Sequence, residues 1–185
     1  MEKSFLIGGS GGQGILFMGK LIASAAMISG KEVTWFPSYG AEIRCGTANC
    51  TVIVSDEAIG SPVIKDIDVL VVFNDMSLKK FTHRLKKDGL LFYDSSLFSY
   101  NDGNSEIKAV GIPATSIASE LGSKKSANML MLGAVASMSG ILQRDDLLSV
   151  MEHDSSRLTS ETLMLNKLAI TKGFEIIENQ KRSGL

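Results

Sequence analysis

The chain has 185 residues, of which 44% are hydrophobic and 21% are charged, a composition typical of a globular domain and not of a disordered or fibrous chain. The 19 lysines and arginines are balanced by 20 aspartates and glutamates, and no basic run stands out, which argues against a nucleic-acid partner. No signal-peptide core and no apolar stretch of roughly 20 residues is present, so we expect a single cytoplasmic domain over residues 1–185, without a membrane span.

The first predicted elements are a strand, a helix and a second strand. Residues 5–7 are a short apolar run that leads into glycine, and apolar residues recur at helical spacing from about residue 13 to residue 29. Gly30 is a typical residue to end this helix. Residues 33–36 are β-branched or aromatic, which predicts a second strand that ends before a loop.

The remaining elements continue this alternation and then become helical. Because strands alternate with helices, the sequence predicts a three-layer, Rossmann-like α/β fold with a mostly parallel sheet. The helical C-terminal third is expected to cover the sheet, and the last eight residues look frayed. The predicted strands are residues 47–55, 67–73, 90–93 and 107–111, and the predicted helices are 76–87, one starting near 115, 126–142, 144–152 and 156–172.

A glycine-rich turn lies between the first strand and the first helix and matches the GxGxxG pattern. Glycines allow positive φ and let backbone amides approach a ligand, while the helix N-terminus behind them favours a phosphate or carboxylate. The alternative is that the glycines only let the helix, or another subunit, pack closely. The predicted binding residues are Gly9, Ser10, Gly11, Gly12, Gln13 and Gly14.

Two common nucleotide-binding motifs do not fit this turn. A dinucleotide site needs an acidic residue at the end of the second strand to hold the ribose, but that strand ends in Trp35-Phe36-Pro37 and Glu32 stands at its beginning. A phosphate-binding loop of the Walker type needs Lys-Ser or Lys-Thr after the glycines, and neither follows. Both motifs are therefore disfavoured.

The loop after the second strand is expected to open at the same sheet edge as the glycine turn, so that the two share one cleft. An arginine in this loop, Arg44, could clamp a phosphate or carboxylate through two parallel hydrogen bonds. The alternative is a surface ion pair with Glu42, worth less than about 1 kcal/mol. The predicted binding residues here are Ser38, Tyr39, Arg44 and Gly46.

Three ordered motifs resemble the gamma subunit of the 2-oxoacid:ferredoxin oxidoreductases and the gamma-like domain of the single-chain pyruvate enzymes. They are GSGGQG at residues 9–14, YGAEIRCGTANC at 39–50 and VSDEAIGSP at 54–62. The likeness extends by motif to about residue 93, and SANMLMLGA at 126–134 is compatible with it. One departure is Cys45, which stands where the family usually has glycine after the arginine.

The resemblance implies a role inside a complex that decarboxylates a 2-oxoacid on thiamine diphosphate, transfers the acyl group to coenzyme A and passes electrons through iron–sulfur clusters to ferredoxin. The chain has two cysteines and no motif for the diphosphate-bound magnesium. Thiamine diphosphate, magnesium and the clusters are therefore expected in alpha and beta partner subunits, with or without a delta subunit. This chain is expected to have no catalytic or metal-binding residue, to complete the assembly and to help form the coenzyme A site.

Segments YGAEIR and IGSP look most like stand-alone gamma chains of the 2-oxoglutarate branch, so 2-oxoglutarate is favoured among the oxoacids. The main alternative is a free-standing nucleotide- or coenzyme-binding regulatory module. A third hypothesis, an independent dehydrogenase, is disfavoured because the sequence lacks the carboxylate that would hold the ribose.

Overall fold

The computed structural model describes residues 1–38, 47–101, 106–153 and 158–183, and within these ranges the strands form one six-stranded sheet. The apolar runs of the sequence form its central strands. The strands are β1 (Glu2–Gly9), β2 (Glu32–Ser38), β3 (Ala48–Ser55), β4 (Ile67–Val72), β5 (Leu85–Asp94) and β6 (Lys108–Ile112).

Six α-helices lie in the described residues, with 3-10 turns at Thr82–Arg84 and Lys124–Ser126. Asn74 caps the second of these helices, since its side chain accepts a hydrogen bond from the amide of Ser77, and Thr159 caps the last helix in the same way. The helices are α1 (Ile15–Ile28), α2 (Asp75–Phe81), α3 (Ala114–Glu120), α4 (Ala127–Ser139), α5 (Arg144–His153) and α6 (Ser160–Arg182).

The strand order is β2-β3-β1-β4-β5-β6. The β1–β4, β4–β5 and β5–β6 pairs are parallel, as the sequence predicts, whereas β3 is antiparallel to both of its neighbours. The fold class is therefore confirmed, with one reversed strand. Because β3 runs opposite to both neighbours, β2 points the same way as β1, and Ser38 and Gly8 both face Asn49 across the sheet.

Side chains of the central strands alternate between two cores. Phe5 and Ile7 of β1 face the larger core, where helices from the C-terminal third pack together with α1. Leu6 points to the other face, where it meets Leu78 and other residues of a smaller core beneath α2. The expectation that the C-terminal helices cover the sheet is confirmed, because apolar residues of α4, α5 and α6 complete the larger core.

The closest helix contact is between α4 and α6, where Gly133 and Gly173 face each other's backbones. A Cβ at Gly133 would lie far inside van der Waals distance of the carbonyl oxygen of Ile170, and one at Gly173 would do the same to the carbonyl oxygen of Leu130. Glycine is therefore required at this crossing, and α4 lies over the sheet close to the site described below.

Two predicted boundaries are wrong. The helix predicted to reach residue 87 ends at Phe81, and after a 3-10 turn the chain enters β5 at Leu85, which pairs with Ile67 of β4. The C-terminal residues predicted to fray continue α6 as far as Arg182. In the described ranges, none of the helices has the length and apolar character needed to cross a bilayer.

Candidate functional site

The glycine-rich turn connects the end of β1 to the start of α1 at the carboxyl edge of the sheet. Gly12 has φ 88° and Gly14 has φ 71°, values in the left-handed region that favours glycine. Gly14 is the N-cap of α1, and its carbonyl oxygen accepts the first helical hydrogen bond from Met18 at 2.9 Å. The turn is therefore shaped to start a helix directly after a buried strand.

The glycines of the turn differ in how closely other residues pack against them. A Cβ at Gly9 would lie 2.6 Å from Cδ1 of Ile15, and a Cβ at Gly14 would overlap the side-chain amide of Asn128. At Gly9 the ends of the Ile15 and Gln13 side chains would have to shift, and at Gly14 the positive φ adds strain to the overlap. In contrast, a Cβ at Gly11 or Gly12 would meet nothing within 4 Å among the described residues. Close packing therefore accounts for Gly9 and Gly14 but not for Gly11.

Three amide side chains hold the turn in place. Gln13 accepts a hydrogen bond from the amide of Ser10 at 2.6 Å and donates one to the carbonyl oxygen of Phe73 at 3.3 Å. Asn74 donates to the hydroxyl of Ser10 at 2.8 Å. Asn128 of α4 donates to the carbonyl oxygen of Gly14 at 3.2 Å. Gln13 is thus a brace of the turn, and the amides of Ser10 and Gln13 are both used within the turn itself.

An open cavity of about 370 Å³ lies on one side of the turn. The structure brings Ser38 to this cavity together with the turn, as the shared-cleft prediction requires, because β2 and β1 end at the same sheet edge. Side chains and backbone of the first turn of α1 form part of its wall. The residues that line it include Ser10, Gly11, Gly12, Gly14, Ser38 and Ala48.

The electrostatic character of this cavity comes from the start of α1. The first amides of a helix have no intrahelical acceptor, and the helix dipole places partial positive charge there. The first turn of α1 contains no acidic residue to neutralise that charge. The arrangement is able to bind an anion such as a phosphate or a carboxylate.

Three of the predicted binding residues, Tyr39, Arg44 and Gly46, lie outside the described residues, as does Cys45. Residues on both sides of this segment, Ser38 and Ala48, line the cavity. The predicted role of Arg44 therefore stays a prediction, and so do the ligand contacts of the glycine turn.

The other cysteine, Cys50, lies behind the cavity wall in the core, fully buried and bonded through its thiol to the carbonyl oxygen of Ile15 at 3.6 Å. Burial raises the pKa of Cys50 from its ordinary value of 9.0 to about 12, an effect only partly opposed by a hydrogen bond from Trp35. The thiol packs beside Gly19 and stays protonated at neutral pH. Cys50 is therefore part of the core and no nucleophile.

Comparison with known proteins shows which family this chain belongs to. The model of the family described as pyruvate ferredoxin/flavodoxin oxidoreductase matches residues 4–176, which is nearly the whole chain. The chain belongs to this family. The predicted resemblance is confirmed, and the motifs that carried it lie within the matched range.

The curated relatives include subunits of oxidoreductases with different oxoacids in their names. The 2-oxoglutarate synthase subunit KorC of Methanocaldococcus jannaschii is 31% identical over 179 residues, a match that covers 95% of this chain and 94% of the relative. Ketoisovalerate oxidoreductase subunit VorA of Methanothermobacter marburgensis is 40% identical over 145 residues, 78% of this chain. The chain spans only about 30% of the length of that VorA relative.

Solved structures of oxoacid ferredoxin oxidoreductases share the fold. The gamma subunit of a keto/oxoacid ferredoxin oxidoreductase from Geobacter sulfurreducens superposes with a TM-score of 0.82 at 26% identity, covering 96% of this chain and 99% of that one. A 2-oxoglutarate:ferredoxin oxidoreductase from Magnetococcus marinus, solved with 2-oxoglutarate, coenzyme A and succinyl-CoA, superposes with a TM-score of 0.88 at 28% identity. There the match covers 96% of this chain and 31% of the longer one.

Two residues of this family member were missed by sequence reasoning. Asn74 directly follows a buried apolar strand and precedes a helix, which is the usual place of an N-cap, so its position could have been predicted. Asn128 reaches the turn from a residue 114 positions away in sequence, and no local pattern indicates that contact. Among the described residues, no group of three His, Cys, Asp or Glu side chains is placed to hold a metal ion.

Proposed function

We propose that this chain is the gamma subunit of a 2-oxoacid:ferredoxin oxidoreductase and that its glycine-rich turn forms part of the coenzyme A site. The first part is supported because this chain belongs to the family and is similar to gamma subunits over nearly their full length. The observation that carries the second part is the cavity in which Gly11, Ser38 and the first turn of α1 meet.

Coenzyme A fits the chemistry of this cavity. It carries a diphosphate and a 3′-phosphate, and phosphates are the anions that helix N-termini and glycine turns bind. A volume of about 370 Å³ accommodates one end of such a molecule, so neighbouring subunits would complete the site. The Magnetococcus relative with coenzyme A in its structure supports the same ligand class.

The remaining chemistry is assigned to alpha and beta subunits, with or without a delta subunit. An iron–sulfur cluster normally takes four thiolates, while this sequence has two cysteines and the thiol of Cys50 is buried against the backbone. The residues present therefore do not fit a cluster, and no step of electron transfer to ferredoxin is placed on this chain. Its contribution is to bind and orient coenzyme A and to complete the assembly in the cytoplasm.

Among oxoacids, we propose 2-oxoglutarate, supported by the nearly full-length match to KorC. The higher identity to VorA favours a branched-chain oxoacid as the second candidate. Purification of the native complex followed by assays with 2-oxoglutarate, pyruvate and ketoisovalerate, each with coenzyme A and a ferredoxin or dye acceptor, distinguishes them. A complex that prefers ketoisovalerate would contradict the choice of 2-oxoglutarate while leaving the gamma-subunit role intact.

The coenzyme A assignment is tested with Arg44→Ala in the reconstituted complex. Losing a charge-assisted contact of about 1.5–3 kcal/mol should raise the KM for coenzyme A roughly tenfold or more, with little effect on the KM for the oxoacid. An unchanged KM for coenzyme A would show that Arg44 has no part in the site. A free-standing regulatory module, the alternative function, would instead bind a coenzyme tightly as the isolated chain and would not co-purify with partner subunits.

A further inference from the structure

A second cavity, of about 250 Å³, lies on the other side of the glycine-rich turn. The two cavities share Gly12, but Ser38 lines only the first and the start of α4 lines only the second. The strand order reverses at β1, because β2 lies on one side of β1 in the sheet and β4 pairs with β1 on the other side. The second cavity lies at this reversal. In open α/β sheets, such a switch point at the carboxyl ends of the strands is the usual place for a ligand.

The wall of this second cavity is cationic. Lys124 and Lys125, both exposed, stand on the 3-10 turn that leads into α4, and Ala127 and Asn128 supply the first turn of that helix. No acidic residue is present in the first turn of α4. The N-cap residue Ser126 makes no capping bond, because its hydroxyl donates to Asn166 of α6 at 2.8 Å. The amide of Ala127 donates to the carbonyl oxygen of Lys124 in the preceding 3-10 turn, so the cationic groups of this wall are the two lysine side chains.

A second, independent observation concerns Asn128, whose side chain lines this cavity and is only 5% exposed. Its nitrogen donates to the carbonyl oxygen of Gly14, but its oxygen Oδ1 has no hydrogen-bond partner among the described residues. Leaving a buried acceptor without a donor is unfavourable, and such groups are rare in native proteins. A ligand that carries an O–H or N–H group could supply the missing donor.

The carboxylate that adjoins the cavity is already satisfied. Asp94 is fully buried at the end of β5 and accepts hydrogen bonds from the amide of Thr115 at 3.1 Å and from the amide of Ser96 at 3.0 Å. The hydroxyl of Thr115, a residue that lines the cavity, also donates to Asp94 at 2.5 Å. Asp94 thus fixes the local backbone through its own network, and the lysines remain available to an incoming anion.

From these groups we infer that the second cavity binds a phosphorylated small molecule that also carries a hydroxyl or N–H donor. Lys124 and Lys125 would bind the phosphoryl group, and the acceptor of Asn128 would take the donor. A carboxylate alone would leave that acceptor unpartnered, which is why a phosphorylated, hydroxyl-bearing ligand is favoured. This site goes beyond the proposed coenzyme A cavity and uses different side chains.

The test uses the full-length chain and two probes, inorganic phosphate and ribose 5-phosphate, with binding measured by calorimetry. We expect saturable binding that is tighter for ribose 5-phosphate. The double change K124Q/K125Q should weaken it about tenfold or more, because charge-assisted contacts are lost. The matched control is K65Q, which removes an exposed lysine at the opposite sheet edge and should change affinity less than about twofold.

A second variant tests the charge of the two lysines directly. K124E/K125E reverses two exposed charges, so folding should be retained while the anion is repelled. Binding of ribose 5-phosphate should fall further for this variant than for K124Q/K125Q, with a melting curve as the control for folding. Absence of saturable binding, or equal affinity in wild type, K124Q/K125Q and K124E/K125E, would overturn the inference.

Kinetic measurements with coenzyme A distinguish the second cavity from the proposed coenzyme A site. In the reconstituted complex, K124Q/K125Q should leave the KM for coenzyme A within about twofold of the wild-type value. A parallel tenfold rise would assign the lysines to the coenzyme A site and overturn a separate one. If Arg44→Ala leaves the KM for coenzyme A unchanged while ribose 5-phosphate still binds through the lysines, only the coenzyme A proposal fails.

Discussion

Gly11→Ala is the sharpest test of whether the glycine-rich turn receives a phosphate. A Cβ at Gly11 would touch none of the described residues within 4 Å, and its φ lies outside the left-handed region, so the described part of the chain has room for the methyl group. Alanine also restricts the unfolded chain, which should leave stability unchanged or raise it by roughly 0.4–1 kcal/mol. Any effect on coenzyme A would therefore come from the ligand side.

The expected effect follows from one lost amide contact. If the methyl group keeps a phosphate from the backbone, a hydrogen bond to a charged group, worth about 1.5–3 kcal/mol, is lost. At 1.4 kcal/mol per factor of ten, the KM for coenzyme A should rise roughly 10- to 100-fold. The kcat at saturating coenzyme A and the KM for the oxoacid should stay close to the wild-type values.

The assay is steady-state turnover of the reconstituted complex, with Gly60→Ala as the matched control. A Cβ at Gly60 would also meet none of the described residues, its φ is ordinary, and it lies between β3 and β4 at the opposite edge of the sheet. Both variants should melt at or slightly above the wild-type temperature. A KM for coenzyme A that is the same in Gly11→Ala and Gly60→Ala would refute the reasoning.

Three further predictions concern stability and reactivity. Gly14→Ala should lower the free energy of unfolding by about 2 kcal/mol or more, measured by thermal melting, because alanine is strained at φ 71° and would collide with Asn128. Gly133→Ala should destabilise by about 1–3 kcal/mol in denaturant titration, because the methyl group would press on the backbone of Ile170. Cys50, with its pKa near 12, should react very slowly with a thiol reagent at pH 8. Because the thiol is buried, the free energy of unfolding should also fall as the pH rises from 9 to 12.

The sign of that pH effect follows from the raised pKa of Cys50. Below pH 9 the thiol is protonated in both the folded and the unfolded chain, so its full contribution is present. Between 9 and 12 the unfolded chain loses the proton first, which favours unfolding. If Cys50→Ser leaves the slope of stability against pH unchanged in this range, the assignment is contradicted. Gly60→Ala serves as the control for Gly14→Ala and Gly133→Ala.

Local sequence patterns were sufficient for most elements of the fold. Apolar runs and helical spacing have the same periodicity in the isolated sequence as in the folded chain, so β1, α1, β4 and the C-terminal helices could be predicted. The direction of β3 could not, because a strand with both faces covered shows the same apolar run whether its neighbours are parallel or antiparallel.

For the site, the sequence determined the glycine turn and placed Ser38 at the same edge, because a strand-to-helix turn is a local structure with its own composition. Only the tertiary structure separated Gly9 and Gly14, which pack against other side chains, from Gly11, where a Cβ would meet none of the described residues. It also brought Asn128 to the turn, a contact set by the crossing of α4 over the sheet. Such contacts join residues far apart in sequence, so they depend on how the helices pack and leave no periodic signal in the chain.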